Sequence, residues 1–104
     1  MARYPLHCPV GRTLNVIGES WTIMILRDFI LRGPQKFSDL EASFPGMGPN
    51  TLSARLKGLE TAGLIRRQFY GDHPPRAEYA LTEKGESLRP VLKALRDWGA
   101  KHTK

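Results

Sequence analysis

Cysteine and histidine are scarce in this 104-residue chain. Cys8 is the one cysteine, so no disulfide can form within the chain, and this favours a reducing compartment. The histidines, His7, His73 and His102, are too scattered for the ligand spacing of a transition-metal site. His7 adjoins Cys8, but no third residue orients that pair as a catalytic nucleophile. The sequence therefore predicts no enzyme activity, no metal and no cofactor.

Long apolar runs are also absent. The longest, Ile23–Leu26, is far too short to cross a bilayer, and the first residues lack the basic and apolar regions of a signal peptide. We therefore expect a cytoplasmic protein with no membrane partner.

Acidic residues are outnumbered by basic ones. Sixteen Lys and Arg residues oppose ten Asp and Glu residues, which gives a formal net charge of +6. Such a surplus favours a polyanionic partner. The length predicts a single domain over residues 1–104, small enough that association with a second copy would help its stability.

The stretch Pro49–Ala62 indicates an amphipathic helix. Leu52, Leu56 and Leu59 recur at steps of four and three, which places them on one face directed into a core. Gly48 is a weak N-cap, and Pro49 suits the first helical position. The opposite face carries short side chains that let a helix approach base edges, with a basic residue at its flank suited to phosphate. The predicted DNA contacts of this helix are Asn50, Thr51, Ser53, Ala54, Arg55 and Lys57.

Three helical patterns precede that stretch. The first begins at Pro9 and ends at Gly18, with a predicted buried stripe of Val10, Leu14 and Ile17. The second, Trp21–Leu31, is apolar nearly all round, which predicts burial on most sides, and Ser20 is its predicted cap. The third begins at a predicted capping box of Ser38 and Glu41, with Leu40 and Phe44 facing inward. Pro45–Gly48 then turns the chain into the helix at Pro49.

Beyond Gly63 the apolar period changes to two. Leu64–Tyr70 and Ala77–Leu81 are predicted strands, with residues 71–76 forming the tip of a hairpin. Helix, turn, helix and then a basic hairpin predicts a winged helix-turn-helix, a mainly α fold with a small β-hairpin wing. The predicted DNA contacts outside the second helix of that motif are Lys36, Ser38, Arg67, His73 and Arg76.

The last part of the chain carries an apolar stripe. Thr82 is a predicted helix cap, and Pro90 predicts either a kink or a fresh helix start. The stripe consists of Leu88, Val91, Leu92, Leu95 and Trp98. Its pattern alone leaves two interpretations open, since it can close the core of one subunit or pack against a second subunit.

Several motifs carry a resemblance to a known family. They include Cys8-Pro9-Val10, Trp21-Thr22 before Ile25-Leu26-Arg27, and above all the segment from Pro74 to Gly85, PPRAEYALTEKG. With these motifs the chain resembles the HxlR-type branch of the bacterial MarR-like winged helix regulators. Two departures stand out: Gly48 replaces a capping Ser or Thr, and Glu19-Ser20 replaces the more usual Gly-Lys before the tryptophan.

The resemblance implies a homodimeric transcription factor that binds double-stranded DNA. Its first and last helices would form the dimer interface, and its two recognition helices would read a pseudo-palindromic operator. The residues that carry the implied interface are Val10, Leu14, Ile17, Leu88, Val91, Leu92, Leu95 and Trp98. Two alternatives stay open: a winged helix that contacts another protein, and a protein that coats DNA without sequence preference.

Cys8 has two open interpretations. With Pro9 as the first helical residue, Cys8 takes the N-cap position, where the helix dipole and unpaired N–H groups stabilise a thiolate. The resemblance implies that this thiol senses oxidants or electrophiles. The alternative is a small apolar residue packed at a helix end. Whether the effector is an electrophile or another small molecule stays open.

Overall fold

The computed structural model describes residues 3–71 and 76–104, so the predicted contact His73 lies outside the described residues. The described elements follow the predicted order of three helices, a fourth amphipathic helix, a hairpin and a C-terminal helical region. They are α1 (Pro9–Ile17), α2 (Thr22–Arg32), α3 (Phe37–Ser43), α4 (Pro49–Thr61), β1 (Ile65–Tyr70), β2 (Arg76–Leu81), α5 (Glu83–Glu86) and α6 (Arg89–His102). In the part of the chain that the structure describes, no helix is both long enough and apolar enough to cross a membrane.

The core lies between α2, α3, α4 and the base of the hairpin. Its largest fully buried side chains are Ile25, Leu26, Phe29, Leu40, Leu52, Leu56, Leu59 and Leu64. This confirms the predicted leucine face of α4. Each such side chain contributes roughly 1.5–3 kcal/mol of burial free energy, so the face fixes the rotation of α4 about its axis.

Local backbone chemistry defines both ends of α4. Gly48 is the N-cap with an extended backbone, and Pro49 occupies the first turn. Leu52 N donates to Gly48 O at 3.0 Å, which closes the first turn. After α4, Gly63 adopts φ +76°, a conformation that glycine reaches without a Cβ clash, and the chain turns into β1.

The hairpin is anchored to the connection between α2 and α3. Strands β1 and β2 pair antiparallel, from Ile65 opposite Leu81 to Tyr70 opposite Arg76. Gln35 pairs with β2 through an isolated bridge. In it, Gln35 N donates to Tyr79 O at 2.9 Å, and Tyr79 N donates to Gln35 O at 2.7 Å. The wing is therefore held by backbone hydrogen bonds as well as by its core contacts.

Two predicted helix caps are wrong. The N-cap of α2 is Trp21, with φ 74°, and not Ser20. Its left-handed backbone is accompanied by a tertiary contact, since the Trp21 ring packs edge-on against Phe44 with centroids 5.9 Å apart. The N-cap of α3 is Lys36.

Only one half of a capping box forms at α3, and it lies two residues earlier than predicted. Asp39 Oδ2 accepts from Lys36 N at 2.9 Å, so Asp39 performs the role predicted for Glu41. The physical reason is the bridge at Gln35, which keeps the backbone extended until Lys36 and lets the helix begin directly after it. Ser38 consequently lies inside the helix.

Burial of the two N-terminal helices is lower than predicted. On α1 Ile17 is buried, but Val10 is 66% exposed and Leu14 is also exposed. On α2 Met24 and Leu31 are exposed, so this helix faces the core on one side only. Both differences arise because the described chain lays no further element over these faces.

The predicted N-cap of the C-terminal helical region is confirmed. Thr82 Oγ1 accepts from Gly85 N at 3.1 Å and begins the short helix α5. Pro90 lies in the first turn of α6, so it marks a fresh helix start and not a kink.

Replacing Leu56 with Ala should lower the free energy of unfolding by about 2–5 kcal/mol, because Leu56 is 1% exposed and the smaller side chain leaves a cavity. The measurement is denaturant unfolding followed by circular dichroism. The matched control is Lys57→Ala at the next, exposed position, which should change stability by less than about 0.5 kcal/mol. Equal losses in the two variants would contradict this packing.

Candidate nucleic-acid interface

The side of α4 opposite its leucines is open to solvent. Asn50, Ser53, Ala54 and Lys57 are exposed there, and Thr51 is half-buried. All of these side chains except Lys57 are short, so the helix backbone can come close to a partner surface. The face predicted from sequence is therefore accessible along the helix.

A groove joins this face to the hairpin. Its lining residues are Ser53, Lys57, Glu60, Thr61, Arg67 and Tyr79. Three predicted DNA contacts thus come together from two elements: Ser53 and Lys57 from α4, and Arg67 from β1. Arg67 Nη2 lies 3.6 Å from Glu60 Oε1, and the Arg67 guanidinium lies 6.0 Å from the centroid of the Tyr79 ring.

Sequence reasoning missed Glu60 and Tyr79 as parts of this groove. Glu60 lies on α4 at the border of the leucine face, and Tyr79 lies on β2. Their shared position depends on how the hairpin docks beside α4. The period-two alternation of apolar residues predicted the strand face on which Tyr79 lies. It could not predict that this face lies across a groove from Glu60 on α4.

A second hollow lies where the start of α3 meets the wing. It brings together Lys36, Ser38 and Arg76, which are three more predicted contacts, beside the ring of Tyr70. Lys36 Nζ lies 5.8 Å from the centroid of that ring. Glu41 also lines this hollow, so its two cations and one hydroxyl outweigh a single carboxylate. Such groups suit phosphate oxygens, which take charge-assisted hydrogen bonds from them.

Arg55, which was predicted to contact phosphate, lines neither the groove nor the second hollow. Arg55 Nε donates to Ser20 O at 2.8 Å, and Arg55 Nη2 lies 3.8 Å from Glu19 Oε2. Its guanidinium therefore points to the connection between α1 and α2.

Cys8 occupies the predicted N-cap of α1. Its backbone is extended, Arg12 N donates to Cys8 O at 2.9 Å, and the thiol makes no capping hydrogen bond. The side chain is partly exposed. The arm before it lies on α1, because Asn15 Oδ1 accepts from Arg3 N and Tyr4 N, each at 2.9 Å.

The terminal helices present apolar side chains to solvent. No residue of α6 is buried, and Leu95 and Trp98 are 48% and 64% exposed. Leu88 and Leu92 instead pack partly against the core. The predicted stripe thus divides between the core of the subunit and an uncovered surface.

The rim of α6 is charged. Lys93 Nζ lies 2.9 Å from Asp97 Oδ2, and Arg96 Nη2 lies 3.0 Å from Asp97 Oδ1. Hydrogen bonds first from Lys93 and then from Arg96 hold the pKa of the Asp97 carboxyl below its ordinary value. The carboxylate therefore stays ionised beside the apolar side chains.

Helices α3 and α4 form a helix-turn-helix, and the hairpin after them is its wing. This architecture defines the class of winged helix-turn-helix transcriptional regulators. The family model of HxlR-like helix-turn-helix proteins matches residues 16–104. The chain belongs to the HxlR-like family.

Curated relatives agree with that assignment. The chain is 38% identical over 95 residues to the HTH-type transcriptional regulator YdeP of Bacillus subtilis, an alignment that covers 91% of this chain and 73% of YdeP. It is 36% identical over 102 residues to YtcD of the same organism, covering 98% of this chain and 80% of YtcD. Both relatives carry names of transcriptional regulators.

Solved structures show the same fold. The crystal structure of the transcriptional regulator YtcD superposes with a TM-score of 0.86 at 38% identity, over 91% of this chain and 96% of that one. The redox regulator HypR in its oxidised form superposes with a TM-score of 0.84 at 33% identity, over 93% of this chain and 99% of that one. The predicted winged helix fold and family resemblance are thereby confirmed.

Proposed function

We propose that this regulator binds double-stranded DNA with sequence specificity and inserts α4 into the major groove. The observation that carries the proposal is the groove between α4 and the wing, where Ser53, Lys57 and Arg67 meet. A helix with one short-chained face fits the width of the major groove, and a basic wing beside it reaches the flanking backbone.

Residues of α4 have the chemistry for base readout. Asn50 can form a bidentate pair with adenine, Thr51 and Ser53 can donate to or accept from either base pair, and the Ala54 methyl suits thymine. The proposed phosphate contacts are the cations around this face: Lys57 on α4, Arg67 on β1, and Lys36 with Arg76 in the second hollow. Phosphate contacts position the helix and base contacts specify the sequence.

A second copy of the chain is the proposed partner of the exposed apolar side chains on α1 and α6. Val10, Leu95 and Trp98 are too exposed to be explained by the core of one subunit. A two-fold dimer would bury them and would present two α4 helices to successive major grooves. The operator would then be a pseudo-palindrome with half-sites about 10 base pairs, or a multiple, apart.

Cys8 is the proposed sensing thiol. Its side chain is partly exposed at the N-cap of α1, the helix that carries Val10 of the proposed dimer surface. Alkylation of this thiol by an electrophile, or its oxidation, would shift one subunit against the other and change the spacing of the two α4 helices. In the oxidation, an oxidant such as diamide would take two electrons and two protons from the Cys8 thiols of the two copies as they form a disulfide. The likeness to HypR, a redox regulator, supports this proposal.

Binding to a duplex selected from a random pool should depend strongly on salt, because contacts to phosphates release counterions. If the dimer contacts about six or more phosphates, affinity should fall on the order of a thousandfold or more between about 50 and 200 mM salt. Fluorescence anisotropy at several salt concentrations measures this. Asn50→Ala should alter which sequence is selected, with about 1–3 kcal/mol lost in discrimination at one base pair.

Other outcomes would point to the alternatives. A wild-type protein that retards no duplex at low salt favours a winged helix for protein contact. Equal affinity for selected and scrambled duplexes favours a DNA-coating protein.

Leu95→Glu should dissociate the dimer and weaken DNA binding together, because a buried, unpaired carboxylate at the interface is costly. Sedimentation velocity at micromolar concentration measures the mass, and anisotropy measures affinity. The matched control is Lys93→Glu on the charged rim of α6, which should leave the dimer intact. A wild-type protein that sediments as a monomer and binds DNA one to one would refute the dimer.

Diamide treatment should change the DNA affinity of the wild-type protein and leave that of Cys8→Ser unchanged, since Cys8 is the one thiol that diamide can oxidise. Affinity is measured before and after treatment, and again after reduction with dithiothreitol, which should restore it. Equal affinity in all samples would return Cys8 to a structural role.

A further inference from the structure

The connection between α1 and α2, residues 18–21, touches the helix-turn-helix at two separate places. We propose that Arg55 is a positioning residue that fixes α4 to this connection, and that it supports DNA affinity without contacting a phosphate. The inference rests on the proposed DNA-binding function and deepens it. It replaces the sequence-based expectation that Arg55 binds the DNA backbone.

The first attachment is polar. Arg55 Nε donates to the Ser20 carbonyl at 2.8 Å, and Arg55 Nη2 lies 3.8 Å from Glu19 Oε2. The other oxygen of that carboxylate, Glu19 Oε1, lies 3.5 Å from Arg3 Nη1 on the N-terminal arm. A planar guanidinium that engages a carbonyl and a carboxylate together is constrained in orientation, which a single lysine charge would not be.

The second attachment is apolar. Trp21 has φ 74°, which non-glycine residues adopt only where their surroundings enforce it. Its ring packs edge-on against Phe44, and a Cβ built on Gly46 would lie 3.7 Å from that ring. Phe44 and Gly46 belong to the turn between α3 and α4. The connection therefore holds both that turn and the middle of α4.

The contacts of Arg55 commit it to the connection, and it lines neither the groove nor the second hollow. Its side chain is 24% exposed, and its guanidinium hydrogen-bonds away from the groove face. Lys57, two residues later, is exposed, lines the groove and makes no ion pair with any described carboxylate. Lys57 is therefore the matched control for a cation that does reach the phosphates.

The two roles differ in their dependence on salt. Each phosphate contact contributes about 0.9 to the slope of log affinity against log salt concentration, so losing one contact per subunit of a dimer reduces the slope by about 1.8. A positioning residue contacts no phosphate, so its removal leaves the number of counterions released on binding unchanged. Its loss lowers affinity by a similar factor at every salt concentration.

The test measures the DNA affinity of the 104-residue chain by fluorescence anisotropy, on the selected duplex and at several salt concentrations. Arg55→Ala should weaken binding about tenfold at every concentration, with a slope parallel to that of the wild type. Lys57→Ala should weaken binding and reduce the slope by about 1.8, as expected for phosphate contacts. A slope in Arg55→Ala that falls as in Lys57→Ala, or an unchanged affinity, would overturn the positioning role.

Glu19→Gln in the wild-type background gives a test that does not depend on the folding of Arg55→Ala, since Glu19 is exposed. Removing an acidic residue ordinarily raises affinity for DNA. If the contact of Arg55 with Glu19 and Ser20 positions α4, the opposite is expected. Glu19→Gln should then lower DNA affinity several-fold in the wild-type background and cause no further loss in the Arg55→Ala background. Tighter binding by Glu19→Gln, the ordinary effect of removing an acidic residue, would overturn the proposal.

The failure of this link is distinguishable from failure of DNA binding itself. If the wild type binds no duplex, both the proposed function and the link are overturned. If the wild type and Lys57→Ala behave as described but Arg55→Ala follows Lys57→Ala, only the link is overturned.

Discussion

Burial of the leucine face of α4 is the interaction on which the rest of the structure depends. Leu52, Leu56 and Leu59 share one cluster with the apolar side chains of α2 and α3. A helix with one buried face has its opposite face fixed toward solvent, so this packing alone decides that Asn50 and Lys57 are available to a partner. Because α4 leads directly into β1, the same packing also fixes the base of the wing, where Leu64 and Ile65 complete the cluster.

Polar contacts then set the position of the wing relative to α4. Lys84 Nζ donates to Ala62 O at 2.8 Å, and Thr82 Oγ1 donates to Gly63 O at 2.5 Å, so the residues after the hairpin bind the residues before it. Gly85 approaches Leu64 so closely that a Cβ there would clash with the Leu64 carbonyl oxygen. This close approach closes the base of the hairpin. The groove that joins α4 to Arg67 is a consequence of that closure.

Sequence patterns predicted local features well where one neighbouring residue or one helical period decides them. Pro49 after Gly48, the four-and-three spacing of the leucines and the cap at Thr82 all act within one or two turns, and all are confirmed. The caps of α2 and α3 were wrong because distant residues decide them: Trp21 packs on Phe44, and Gln35 pairs with Tyr79 before α3 begins. A capping box is a local preference of roughly 1 kcal/mol, which one tertiary pairing can outweigh.

For the site, the sequence by itself determined which side of α4 is polar, which cations flank it and which family the chain resembles, because periodicity and motifs are properties of order along the chain. Only the tertiary structure decided which of those cations share a surface. Lys57 and Arg67 meet in one groove and Lys36 and Arg76 in another, whereas Arg55 turns away to Ser20. The physical reason is that a long, flexible arginine side chain can take an acceptor that only the fold brings close to it. That acceptor, the Ser20 carbonyl, lies thirty-five residues away in the chain.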